Sequence, residues 1–310
     1  MVVSLSLVAV QLAASSYSSR VIDFFKNYPD LWIILFIYTY SIFYGLRILK
    51  IIIDGDNSQI EYDISTAFQL GMYVFIATIV YIYTIIGLLN PSKIIQNLVQ
   101  RIEVSSVSSS KRLGDKEDPF QPVVDIAISS LMKYDGGTLA DVLEAISSRK
   151  KILFYEGSPC GNDIGLRLFE HLLGLGKLAA ERKDEYATNL VINEIAQIGV
   201  YVAENKLEKA AIQAAVSLGQ VGVKAAENKL GLVVGLVAVS LGQVGVKAAE
   251  NKFENAAIRA ASALTLIREK AAENNLVNAA LQAAEYLGPV DEGLRNSRGQ
   301  GQGSRVYSDG

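Results

Sequence analysis

Internal repetition constrains this chain more than any other feature. Ala-Glu-Asn-Lys occurs at 203–206, 226–229 and 249–252, and Ala-Glu-Asn-Asn at 272–275, each 23 residues after the last. One step earlier stands Ala180-Glu181-Arg182-Lys183. Residues 216–229 and 239–252 are identical over 14 positions, the mark of a duplication. Self-similarity at such a period means small units that stack to make a core none of them has alone.

The period inside each unit is helical. In 207–229, Leu207, Ala211, Ala214, Leu218, Val221 and Ala225 follow spacings of three and four, which excludes strands. Glu208, Gln213, Ser217, Gln220, Lys224 and Glu227 form a polar side. Asn205, Asn228, Asn251 and Asn274 are expected to break the helices. Asn tolerates the left-handed conformation and can cap the next helix, and Glu208 stands at capping-box distance from Asn205. Each unit is then a helix of about 19 residues, near 29 Å long. Two units make a hairpin of 46 residues, inside the range of HEAT-type repeats. Gly219, Gly222, Gly242 and Gly245 each cost about 1 kcal/mol in a helix. They are tolerable if neighbouring helices approach closely there. Residues 230–246 depart from the pattern: Gly231, Leu232 and Leu236 replace Glu208, Lys209 and Gln213, leaving 17 uncharged residues. This stretch is read as an interaction surface, with a third membrane crossing as the alternative.

The front of the chain has another character. Residues 31–53 are apolar, with Arg47 and Lys50 only near the end, and 67–89 hold no charge over 23 residues. Each can cross about 30 Å of hydrocarbon as a helix. Asp54, Asp56, Glu61 and Asp63 lie between them, while Arg20, Lys26, Lys93 and Arg101 flank the pair. The positive-inside rule places the connection outside and the long C-terminal part in the cytoplasm, with Arg47 and Lys50 counting against. Residues 2–14 are apolar but too short to cross, and look like the end of a crossing helix whose start is missing. Neither crossing segment has an ionisable centre, which argues against a proton relay. In 91–102, Ile94, Ile95, Leu98, Val99 and Ile102 share one face; this helix either lies on the inner leaflet or packs on the cytoplasmic domain. Residues 105–118 read as a polar linker, 122–134 and 138–155 as helices with Thr138 capping the second, and 295–310 as a disordered tail.

Composition closes other routes. Half of the residues are hydrophobic and mean hydropathy is +0.26 although 20% are charged, as expected of apolar segments joined to a soluble part. A net charge of −3 gives no cationic field for nucleic acid. One Cys and one His exclude a disulfide framework and Cys/His zinc sites. His171 lies one register before Glu194, Ser217 and Ser240, a column read as exposed and polar. Cys160 sits in a loop, and pairing with His171 would require that helix to fold back. Glu181, Glu204, Glu227, Glu250 and Glu273 read as a solvated column that splits between the two ends of antiparallel helices. Gly174 and Gly176 lack the strand and the Lys-Ser/Thr of a phosphate loop.

Residues 4–26, followed by two hydrophobic helices and by Asp118-Pro119-Phe120, resemble a family of predicted prokaryotic integral membrane proteins of unknown function. The resemblance covers about 2–150 and implies a membrane region, with no activity, cofactor or site residue. The Ala-rich units that follow look like those of some archaeal proteins. The expected fold is all-α: transmembrane helices, then a HEAT-like α-solenoid. The division is 1–103 membrane region, 104–119 linker, 120–160 helical hairpin, 161–290 solenoid and 291–310 tail. The expected function is a membrane-anchored scaffold on the cytoplasmic side, not an enzyme, with no catalytic, cofactor or metal residues. Its partners are the lipid bilayer and a protein or a second copy. The alternative is a subunit of an oligomeric channel or transporter with a regulatory solenoid.

Overall fold

Each repeated unit ends in the same way, and this turn builds the fold. In the computed structural model, residues 29–54, 60–88, 91–100, 102, 118–155 and 160–303 are described. Residues 2–14, most of the 104–119 linker and 304–310 lie outside them. No strand occurs among the described residues. The chain divides into two units, Met1–Ile94 and Ile95–Gly310.

The first unit contains α1 (Pro29–Asp54) and α2 (Ile60–Leu88), packed on each other. The second helix starts seven residues before the apolar run, with Asp63 close to its positive N-terminal end. Ile48 and Val74 are buried, and Tyr38 and Thr78 join the helices by a hydroxyl hydrogen bond of 2.6 Å. Large apolar side chains otherwise point outward: Phe36, Phe43, Ile53, Tyr62, Phe68 and Tyr83 are each more than two-thirds exposed.

The helix α3 (Pro91–Gln100) runs into the second unit, which holds α4 (Gln121–Met132), α5 (Gly136–Ser148), α6 (Lys150–Leu153), α7 (Gly161–Glu181), α8 (Glu185–Glu204), α9 (Glu208–Glu227), α10 (Gly231–Glu250), α11 (Glu254–Glu273) and α12 (Val277–Gly303). Consecutive helices form hairpins. From α7 on, every helix also packs on the one two places along, so that α7, α9 and α11 make one layer and α8, α10 and α12 the other. Hairpin α4–α5 begins the same two layers, α4 against α7 and α5 against α8. The result is a stack of helical repeats.

The turns are Schellman motifs. After α8, Lys206 N–H donates to Ala203 and Leu207 N–H to Val202; the bonds recur at 229–230, 252–253 and 275–276. The left-handed residues are Lys183, Lys206, Lys229, Lys252 and Asn275, with φ 57 to 62°. This corrects the assignment of that role to Asn205, Asn228, Asn251 and Asn274. Those residues keep negative φ, and their side-chain amides donate to the carbonyl four residues back at 2.8–3.0 Å. No capping box forms either: Leu207 is the N-cap of α9, and Asn162 of α7 accepts from Ala210 N–H at 3.2 Å. The apolar residue after the left-handed one, Leu207 or Leu230, is buried, as the motif favours.

The glycines serve the stacking. A Cβ on Gly245 would lie 2.9 Å from both Ala260 Cβ and Val290 Cγ2, and one on Gly219 would lie 2.7 Å from Ala263 Cβ. The register of Gly176, Gly199, Gly222 and Gly245 continues to Arg268 and Asp291, both exposed.

Two further expectations change, and one open alternative narrows. The helix α5 is capped by Asp135, which accepts from Thr138 N–H at 3.0 Å and from Thr138 Oγ1 at 2.7 Å; Thr138 sits inside the first turn. These bonds hold the Asp135 carboxyl below its ordinary value. The apolar face of α3 is occupied by protein: Ile95, Val99 and Ile102 are at most 2% exposed, and the Arg149 guanidinium donates to the carbonyls of Gln100 and Ile102. The segment 291–303 is the end of α12, with Val290 and Leu294 buried against the stack, so it is not a disordered tail.

Candidate interaction surface

The duplication makes its own comparison. Helices α9 and α10 are identical over their last 13 residues and differ in the first seven, Glu-Lys-Ala-Ala-Ile-Gln-Ala against Gly-Leu-Val-Val-Gly-Leu-Val. Buried positions change from Ala to Val. Exposed ones change from charge to apolar: Leu232, in the place of Lys209, is 79% exposed. With Val277 and Leu281 of α12, each about two-thirds exposed, it lines a groove of about 1040 Å³ between α10 and α12. Glu185 is the only charged side chain in its lining. Gly235 lets Gln282 approach its backbone across this groove.

The opposite layer is charged. A groove of about 520 Å³ over α7, α9 and α11 has Val216, Val223 and Leu266 in its floor, with Lys177, Lys224 and Arg259 around it. The glutamate column forms ladders with lysines of the same helix and of the next helix in the same layer. Lys224 lies 3.3 Å from Glu181 and 3.5 Å from Glu227, and Lys270 lies 2.7 Å from Glu273. On the other layer Lys247 lies 3.9 Å from Glu204 and 2.8 Å from Glu250. The hydrogen bond to Glu181 raises the Lys224 pKa above its ordinary value. The column splits by layer and is half-exposed, as alternating helix direction requires. Such pairs contribute little to stability in water.

The His171 column is buried, against expectation. His171 is 7% exposed, and its Nε2 lies 2.9 Å from Asp118 Oδ2. Asp118 is itself buried and accepts from Phe120 N–H at 3.0 Å; Phe120 packs in the core beside the imidazole. Ser217 Oγ donates to the Phe169 carbonyl of α7. A helix in a two-layer stack is covered by the preceding hairpin, the following hairpin and its own partner, so this polar column falls inside. Asp118-Pro119-Phe120 is therefore where α4 is fixed to α7.

None of this assembles a reaction centre. Cys160 stands just before α7, eleven residues and about 16 Å of helix from His171. Gly174 and Gly176 lie within α7. No group of three or more His, Cys, Asp or Glu suited to a metal ion occurs among the described residues. Two helices among these are long and apolar enough to cross a membrane, Tyr62–Val80 and Gly231–Glu250. The second is two-thirds buried between its neighbours, which accounts for its apolar run without a crossing.

No family model and no curated protein matches the chain. Among solved structures it is similar to a "circular tandem repeat protein with novel repeat topology and enhanced subunit contact surfaces", at 16% identity and a TM-score of 0.39. The match covers 95% of this chain and 64% of that one. At that score the likeness adds nothing to the stacking seen directly. The helix pairs define a helical tandem-repeat protein.

Proposed function

We propose that this protein is a membrane-tethered helical-repeat scaffold, with α1 and α2 as the tether and the stack presenting a protein-binding surface on the cytoplasmic side. The observation that carries the reading is the outward apolar surface of α1 and α2 beside a stack that buries its own core. The span Tyr62–Val80 has mean hydropathy 1.4 and is only 6% buried. In water that surface would drive aggregation, whereas hydrocarbon is its natural solvent. The charge asymmetry around 54–66 favours the orientation. Stacked repeats bind proteins over extended surfaces, and the α10–α12 groove is the apolar part of this one.

Gentle lysis followed by sedimentation and alkaline extraction tests the tether: the full chain stays with lipid until detergent is added. Recovery in the aqueous fraction would overturn it. Restoring the twin helix's residues, Leu232→Lys with Leu236→Gln, tests the surface. A partner crosslinked to the parent protein in intact cells is lost from this variant, while helix content and membrane fraction stay unchanged. Retention of the partner would move the binding surface elsewhere.

A further inference from the structure

Glu194 is a poor fit to its place. It belongs to the buried column of His171, Ser217 and Ser240, and is 7% exposed. Ser147 of α5 is hydrogen-bonded to its carboxylate, yet Oε1 has no partner. The nearest charge is Lys150 of α6, and the other helices packed on α8 (α7, α9 and α10) add none that acts on it among the described residues. A buried carboxylate with an unsatisfied oxygen opposes the packing that encloses it when charged, and not when neutral. The residues that enclose it flank Arg149, whose guanidinium holds the carbonyls of Gln100 and Ile102.

We propose that Glu194 is a protonation-sensitive latch on the α5–α6 layer. Neutral, it lets α5–α6 stay closed on α8. Charged, it loosens that layer and, through Arg149, the grip on Gln100 and Ile102. Burial raises the carboxyl from 4.5 to about 7, against the opposing effects of Ser147 and Lys150. The sign follows. A carboxyl whose folded value lies above its unfolded one stabilises the closed layer fully below pH 4.5, and that stability is lost as pH rises through about 7. The latch is closed in acid and released in the neutral range. The comparison is with a variant altered at Glu194 alone.

The test is amide hydrogen exchange of peptides covering 136–155 in the full-length protein, at pH 5.5 and pH 8, with Glu194→Gln measured at each pH. At pH 8 the parent layer exchanges about a hundredfold or more faster than the Gln variant, and at pH 5.5 the gap shrinks to about tenfold, because most of the stability is lost between pH 4.5 and about 7. Lys150→Gln moves the parent's transition to higher pH, because it removes the charge that favours the carboxylate. Equal exchange of parent and Gln variant at both pH values would overturn the latch. So would a Lys150→Gln transition at unchanged pH. Should Glu194→Gln fail to fold, Glu194→Ser, the residue found in the next two repeats, replaces it with the same expectation.

Discussion

The two units of this molecule bury opposite things. In the stack, Val233, Leu241, Val244 and Ile267 are fully enclosed, and charge lies outside on the Lys–Glu ladders. In α1 and α2, Phe36, Phe68, Phe75 and Tyr83 face outward, and the hydroxyls of Tyr38 and Thr78 meet between the helices. Both units are helical and rich in apolar residues, so helix formation and hydrophobicity do not separate them. The separation lies in which side chains the backbone turns inward. A water-facing unit hides oil, and a unit that faces lipid has no reason to. That comparison supports the proposed tether, and it can be broken.

The largest expected effect comes from removing the same kind of group on the two sides. Leu241→Ala leaves a cavity in a fully enclosed site and should destabilise the stack by about 2–5 kcal/mol. Phe75→Ala, at a residue 63% exposed, should leave the stack unchanged. Denaturant unfolding of the full chain in mild detergent, followed by circular dichroism, reads both. Comparable losses would mean that Phe75 is enclosed and that α1 and α2 are packed like the stack.

Charge probes the same contrast from the other side. Phe75→Arg, near the middle of the charge-free run 67–89, should cost about 2.5–3.5 kcal/mol of insertion and reduce the share of protein found with membranes. Lys209, by contrast, is a charge that α9 already carries at an exposed position of the stack, beside the duplicated sequence. If Phe75→Arg left the membrane fraction intact, that face of α2 would not meet hydrocarbon.

Much of this was legible in the sequence. The period of 23 gives the helix lengths, and the alternation of helix direction gives the split of the glutamates. Gly231, Leu232 and Leu236 mark the remodelled groove because a near-identical twin stands beside them. Other features were hidden for physical reasons. Polarity suggested an exposed column at His171 and Glu194, but in a two-layer stack three sides of a helix are covered. The helices of hairpin α4–α5 are legible in the sequence, but their place in the stack is not, because the turn Lys133-Tyr134-Asp135 stands 49 rather than 46 residues before Arg182-Lys183-Asp184. Both turns have a left-handed second residue and an Asp cap, and Arg182 joins them by lying 4.5 Å over the Tyr134 ring. Val277 and Leu281 were passed over because their helix has no identical copy.

A smaller effect sharpens the account of how the stack closes. Gly→Ala in an open helix gains about 1 kcal/mol. At Gly174, where nothing lies within 4 Å of an added Cβ, that gain should appear. At Gly245 the new methyl meets Ala260 and Val290 at 2.9 Å, and the stack must part, for a net loss of about 1–2 kcal/mol. Opposite signs for one substitution in two helices would show that the glycines serve helix approach. Equal gains would show that the layers can yield.

The smallest effect concerns the turns. Every non-glycine residue with positive φ among the described ones lies in the second unit, and in the repeats from Lys206 onward it is a Lys or an Asn. A side chain costs about 1 kcal/mol or more in that conformation, so Lys229→Gly should stabilise the stack by up to about 1 kcal/mol. Asn228→Gly should do the reverse. Its φ is −88°, so glycine relieves nothing there, and the 2.9 Å bond from its amide to the Lys224 carbonyl is lost, for about 1 kcal/mol. Melting temperatures of the two single variants decide between the residues. A gain from Asn228→Gly and a loss from Lys229→Gly would move the left-handed position back to the asparagine.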